Sequence, residues 1–220
     1  RCLSDWSSDV CSSDLLTERL DVSRVPSDTV SFDGAGVIAF APNPLPALER
    51  PVFTLGAVAR SMMMVGALEW LLEQSVQYAN DRVQFGKPIG KNQAIQQQLA
   101  LMAGDVASVR LAALVAAKDA PSSTATDCSS TVFSAAVAKI RCGEAATRGT
   151  SIAHQTHGAI GFTYEHMLNF ATRRLWAWRD EFGSDAWWAE RLGRAAIAGG
   201  SKGFWSGLTD RRFGQAIDAA

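Results

Sequence analysis

The chain lacks the devices by which small secreted or metal-organised folds hold together. Its four cysteines, Cys2, Cys11, Cys128 and Cys142, include no C-x-x-C pair, so neither a disulfide framework nor a thiolate metal site is indicated and a reducing, cytoplasmic location is expected. Charge of one sign is also lacking: 21 Lys and Arg against 22 Asp and Glu leave a net charge of −1. That excludes the basic footprint with which a protein tracks a phosphate backbone, so no nucleic acid is expected as a partner. Uninterrupted apolar runs of roughly 18 residues, the length of a membrane helix, are missing too. Even the stretch from Leu55 to Val65 carries Arg60 and soon meets Glu69 and Glu73, and no membrane span is expected. What is present is 47% hydrophobic residues over 220 positions, enough for a sizeable core.

Residues 1–15, RCLSDWSSDVCSSDL, have neither the cationic start nor the apolar middle of a signal peptide. They read as translated sequencing-adapter text, a non-native segment, and the chain is then expected to be a truncated piece of a longer protein. From Leu20 to Val37, polar and apolar residues alternate across Thr29, Val30, Ser31, Phe32 and Asp33 before Gly34 and Gly36, which predicts one or two strands. Pro42, Pro44, Pro46 and Pro51 forbid a continuous helix and mark a connector. The expected division is therefore a β remnant with a Pro-rich connector over 16–47 and a helical domain over 48–220.

After Pro51 the period becomes helical. Val58, Met62, Val65, Leu68, Leu72, Val76, Ala79 and Val83 recur at steps of three and four, predicting a long helix that ends at Gly86. The FGKPIGK turn reverses the chain. Ile95, Leu99, Met102, Val106, Val109, Ala113 and Ala116 then form a second seam suited to antiparallel packing. Ser129 and Ser130 are candidate caps for a third helix running to His154–His157, with a weaker seam of Phe133, Val137 and Ile140. A fourth helix is expected to open at Thr163 and Glu165 and to bury Met167, Ala171, Leu175, Trp178 and Phe182. Gly183-Ser184-Asp185 recaps a short helix that fades at Gly199-Gly200. The fold class is mainly α: an up-and-down four-helix bundle after a short β-strand remnant.

Two segments carry a resemblance. YANDRVQFGKPIGKNQAIQ (Tyr78 to Gln96) and QTHGAIGFTYEH (Gln155 to His166) resemble, in the right order, two hallmark motifs of the acyl-CoA dehydrogenase family. LDVSRVPSDTVSFDG, from Leu20, looks like the close of that family's middle β domain. The resemblance covers about Leu16 to Arg194. It implies an N-terminal helical domain, absent here, a β domain present as a remnant, and a C-terminal four-helix bundle. It further implies a flavoprotein oxidoreductase of fatty acid metabolism that oxidises an acyl-CoA at Cα and Cβ, transfers hydride to FAD and passes electrons to an electron-transfer flavoprotein.

On the motif residues, the resemblance assigns Arg82 to FAD, and a planar guanidinium before a glycine-rich turn can grip two diphosphate oxygens. Phe85 supplies a flat apolar face, Gln93 and Gln155 carboxamides, and Gly158 and Gly161 close backbone approach. Ala159 stands where the family usually has a glycine. The arginine corner and the amide-plus-glycine corner are expected to converge, from neighbouring protomers, on one diphosphate. His154, His157 and His166 have no Glu-x-x-His partner, so no metal is expected; they read as helix-end residues packing against the cofactor. Trp176, Trp178, Trp187 and Trp188 read as core and interface, and Glu69 with Glu73 as a solvated face.

The family's reaction needs a carboxylate to take the α-proton of the thioester. The resemblance puts the usual base at Phe182 and the alternative base at Gly56, with Ala57 where a partner arginine is common. Neither site holds a carboxylate, so Glu181, one residue before Phe182, is the candidate base. Alternative readings are a non-catalytic subunit completing the FAD site of a heteromer, and a flavin monooxygenase or oxidase of the same fold. A homodimer or tetramer is expected, and this chain alone is expected to bind FAD weakly or not at all.

Overall fold

The computed structural model describes residues 16–32, 39, 41–122, 124–214 and 217. The adapter-like segment, and the glycine break at Gly34 and Gly36, lie outside the described residues. The chain divides into two compact units, Arg1–Asn43 and Pro44–Ala220.

In the first unit β1 (Leu16–Thr17) pairs antiparallel with β2 (Thr29–Val30), with Leu16 opposite Val30. The turn between them is tied by Asp21, whose Oδ1 accepts the N–H groups of Ser23 at 2.8 Å and Val25 at 2.9 Å. This is a side-chain-closed turn of the kind short acids favour.

The second unit is helical. α1 (Pro51–Asp81) leads into a small hairpin, β3 (Val83–Gln84) and β4 (Lys87–Pro88), then α2 (Gln93–Lys118), α3 (Ser129–His157), α4 (Leu168–Asp180) and α5 (Asp185–Thr209). α1 stops five residues short of the expected Gly86, because Val83 leaves the helix to pair with Pro88. Phe85 and Gly86 turn the hairpin with φ of +51° and +78°. Contacts fix the directions. Cys142 reaches the Ser61 carbonyl and His157 stacks on Tyr78, so α3 runs parallel to α1. Asp119 at the end of α2 accepts from Thr131 and Ser134 near the start of α3, while Asp105 meets Arg141 and Arg148 farther along. His154 bonds Thr172, and Lys139 bonds the end of α4. Hence α2 and α4 run against α1 and α3, the up-and-down order expected, and α5 packs on α3 as a fifth helix.

The core sits around Met64, Leu68, Leu71, Met102, Val109, Leu168 and Leu175, all fully buried. Truncating any one of these to Ala costs about 2–5 kcal/mol. The α2 seam holds from Met102 to Ala116, with Ile95 and Leu99 half-buried. On α1 the buried line instead runs Thr54, Ala57, Val58, Ser61, Met64, Val65, Leu68, Leu71, Ser75 and Ala79. Met62 and Val76 are exposed, as the buried hydroxyls of Ser61 and Ser75 bond the carbonyls four residues back and share the seam with apolar side chains, and Val83 is exposed in the hairpin beyond the helix. α3 is buried nearly all round, as the central helix, through Ala135, Ala136, Ala138, Ala145, Ala146, Gly149 and Ala153.

Other termini differ from the sequence expectation. The N-cap of α3 is Cys128 rather than Ser129 or Ser130, and Asp127 just before it accepts the Ser129 N–H at 2.9 Å. α4 starts at Leu168 rather than Thr163, because residues 158–162 form a 3-10 turn whose Ile160 carbonyl takes the Thr163 hydroxyl. Met167 is accordingly exposed. Ser184 caps α5 as expected, but that helix continues past a kink at Gly200, where φ is +66°. By length and composition alone α1 and α2 are apolar enough to cross a membrane, against the expectation drawn from uninterrupted runs; here both pack on α3.

Candidate functional site

The ends of α1 and α3 and the hairpin after α1 enclose a cleft of about 500 Å³. Its walls include Tyr78, Arg82, Gln84, Asn92, Gln155, His157 and Gly158. Among the described residues the Arg82 guanidinium has no ion-pair or side-chain hydrogen-bond partner, and it follows the last turn of α1, where its own N–H closes on the Tyr78 carbonyl. Gly158 ends α3 with φ of +63°, a left-handed backbone that a side chain resists. The arginine corner and the Gln155–Gly158 corner therefore meet within a single chain, and a neighbouring protomer is not needed to bring them together as the sequence reading supposed.

The remaining sequence candidates lie elsewhere. Phe85 is fully exposed at the hairpin tip, and Gln93 is an exposed first residue of α2. Gly161 is buried, and a Cβ on it would stand 2.7 Å from Leu168, so its missing side chain admits the packing of the turn against α4. Tyr78, Gln84 and Asn92 were missed; only their places flanking the motif's arginine and turn signalled them.

The histidines make two groups of ring contacts at this end. His157 lies on Tyr78 with centroids 4.5 Å apart, His166 meets His157 edge-on, and His154 stacks on Phe162. Burial holds both His154 and His157 below the usual imidazole range, helped for His154 by His157 and for His157 by His166, while the Ala153 carbonyl opposes the shift at His157. Neutral rings suit a packed wall. No group of three potential metal ligands occurs among the described residues.

At the other end of α1 lie the positions around Glu181. Gly56 and Phe182, apart in sequence, touch: a Cβ on Gly56 would fall 2.5 Å from the Phe182 ring. The phenyl thus occupies the space above the glycine. Glu181 follows the end of α4 and its carboxylate is ion-paired with Arg60, one turn beyond Gly56 on α1. Arg60 also lies over the Trp178 ring. Trp187 and Trp188 pack against Phe53, with Trp188 buried, whereas Trp176 is partly exposed. Glu69 faces solvent beside Arg110 at 3.5 Å. With 1.5 Å of rise per residue, Arg60 and Arg82 are roughly 30 Å apart along α1.

A family model described as Acyl-CoA dehydrogenase, C-terminal domain, matches residues 47–197. The chain is 37% identical over 118 residues to acyl-CoA dehydrogenase IpdE2 of Mycolicibacterium smegmatis, an alignment covering 54% of this chain and 35% of that one. It is 34% identical over 150 residues to the probable acyl-CoA dehydrogenase YdiO of Escherichia coli, covering 68% and 34%. Among solved structures, the ChsE4-ChsE5 complex from Mycobacterium tuberculosis shares its fold at a TM-score of 0.70 and 24% identity, covering 83% of this chain and 48% of that one. The chain thus spans about a third of the length of these curated relatives.

Proposed function

The chain belongs to the acyl-CoA dehydrogenase family, and from that premise we propose that it is the C-terminal part of an FAD-dependent dehydrogenase that converts an acyl-CoA thioester to the trans-2-enoyl product. The observation that carries this reading is the Arg82 guanidinium, without a side-chain partner among the described residues, lining the same cleft as Gln155 and Gly158. A guanidinium with no internal partner is a ready site for a diphosphate, and the carboxamides beside it add neutral donors and acceptors for an adenosine. When bound, FAD supplies the hydride acceptor. Arg82 would bind the diphosphate, Gln155 would orient the nucleotide, and the His157–Tyr78 stack would form the apolar wall beside it.

Glu181 is the group proposed to take the α-proton. Arg60 holds its carboxylate against α1, and Phe182 closes the neighbouring space over Gly56, so the carboxylate is the only acid among these three positions. The roughly 30 Å between Arg60 and Arg82 along α1 is too long for one cofactor to be served by both from the same chain. The cleft and Glu181 would then act on different flavins, which a homodimer or tetramer provides. Acyl-CoA as substrate and an electron-transfer flavoprotein as acceptor follow from the same reading.

A second reading, a subunit without its own base that completes a partner's FAD site, is favoured by one observation: Phe182 packed on Gly56 fills both positions where the family resemblance puts a base. The fold shared with the ChsE4-ChsE5 complex is compatible with it. The test is the full-length protein with a panel of acyl-CoAs and a dye acceptor. The first reading expects flavin bleaching by at least one thioester and a loss of about 100-fold or more in Glu181→Gln. Bleaching by none of them refutes it, and activity only on co-expression with a second family member selects the subunit reading.

A further inference from the structure

Lys139 is 1% exposed in the middle of α3, the most deeply buried charge-bearing side chain of the described core. Its ammonium is fully used. It donates to the carbonyls of Trp178 at 2.9 Å, Arg179 at 2.9 Å and Glu181 at 2.7 Å. These belong to the C-terminal end of α4, where carbonyls have no further turn of helix to bond them and the helix dipole favours a cation. Burial lowers its pKa to about 8, opposed by Cys142 and by the carboxylates of Glu181, Asp180 and Asp185. Its three carbonyl partners match the three N–H donors of an ammonium.

A cation in this place is costly, since an apolar side chain of similar volume would fill the core without desolvating a charge. What the cation provides is a fixed end to α4. Directly after its grip the backbone turns through two left-handed residues, Phe182 with φ of +53° and Gly183 with φ of +87°. Trp188 Nε1 then donates to the Phe182 carbonyl at 3.0 Å. The backbone at Glu181 is thus held by Lys139 at its own carbonyl and by Trp188 at the next. Its side chain leaves this rigid turn toward Arg60.

We propose that Lys139 is a positioning residue: by gripping the end of α4 it sets the direction in which the Glu181 carboxylate is presented. This rests on the reading of Glu181 as the base, and the experiment separates the two. Lys139→Met, Lys139→Arg and Glu181→Gln are made in the full-length flavoprotein, with helix content checked by circular dichroism. Lys139→Met is expected to lower kcat roughly 10- to 100-fold, as a misplacement of about 1 Å does, with KM changed less than about twofold. Lys139→Arg, which keeps a buried cation with several donors, is expected to recover most of that loss. If Lys139→Met does not fold, Lys139→Gln, which keeps two N–H donors, carries the same expectation of lowered kcat at constant KM. Full activity in Glu181→Gln overturns the base assignment itself. An inactive Glu181→Gln beside a Lys139 variant that folds and keeps kcat within twofold overturns this proposal alone.

Discussion

Substituting Gly56 by Ala tests the contact that closes the space beside Glu181. In an exposed helix the change would stabilise by about 0.5–1 kcal/mol, because glycine loses more backbone freedom on folding. Here the added Cβ would sit 2.5 Å from Phe182 Cδ1 and Cε1 and 2.7 Å from Cζ. The ring has little room to yield: Phe182 is held in the left-handed region, its carbonyl is bonded by Trp188, and Phe53 packs edge-on against it at 6.2 Å. Overpacking of this kind costs about 1–3 kcal/mol. The net expectation for Gly56→Ala is a loss of about 1–2 kcal/mol. In a Phe182→Ala background the obstruction is gone, and the same change is expected to gain about 0.5–1 kcal/mol. Urea unfolding of the four chains, followed by far-ultraviolet circular dichroism, reads the cycle. A Gly56→Ala effect of the same sign and size in both backgrounds, within about 0.5 kcal/mol, would refute the ring-on-glycine packing.

Two further outcomes follow from the same geometry. Ser184→Ala removes the hydroxyl that accepts the Trp187 N–H at 3.2 Å and is expected to cost about 0.5–2 kcal/mol in thermal or urea unfolding. For pH, burial depresses His154 and His157 in the folded state, so below the unfolded value near 6.5 the unfolded chain binds protons that the folded chain does not. Stability is therefore expected to fall as pH drops below that value, and His157→Phe, which keeps a ring against Tyr78, is expected to show a shallower loss between pH 7 and 5 by urea midpoints.

The sequence revealed structure where large apolar residues carry the pattern. The α2 seam is made of Met102, Val106 and Val109, and periodicity finds it. α3 is the most buried helix, yet its contact faces are mostly Ala, Gly, Ser and Thr, residues whose burial comes from the four neighbouring helices α1, α2, α4 and α5 rather than from their own hydrophobicity. The start of α4 was misplaced because Thr163 and Glu165 have the composition of a helix N-terminus, while Asn169 returns to the Thr163 carbonyl at 2.7 Å and makes that stretch a turn. At the candidate site, Arg82, Gln155 and Gly158 were legible from a local motif. Arg60 with Glu181, and Lys139 with the end of α4, were not: each pair joins separate helices, and no spacing along the chain encodes such a meeting.

The central claim is that the Arg82 guanidinium is an open diphosphate site, and flavin affinity tests it most directly. FAD is titrated into the full-length apoprotein, its binding followed by flavin fluorescence, for wild type, Arg82→Met and Lys91→Met, the last an exposed cation outside the cleft lining. Loss of a charged hydrogen bond predicts a Kd weaker by about 10- to 100-fold for Arg82→Met, with Lys91→Met within about twofold of wild type. An Arg82→Met protein that binds FAD as tightly as wild type would contradict the account.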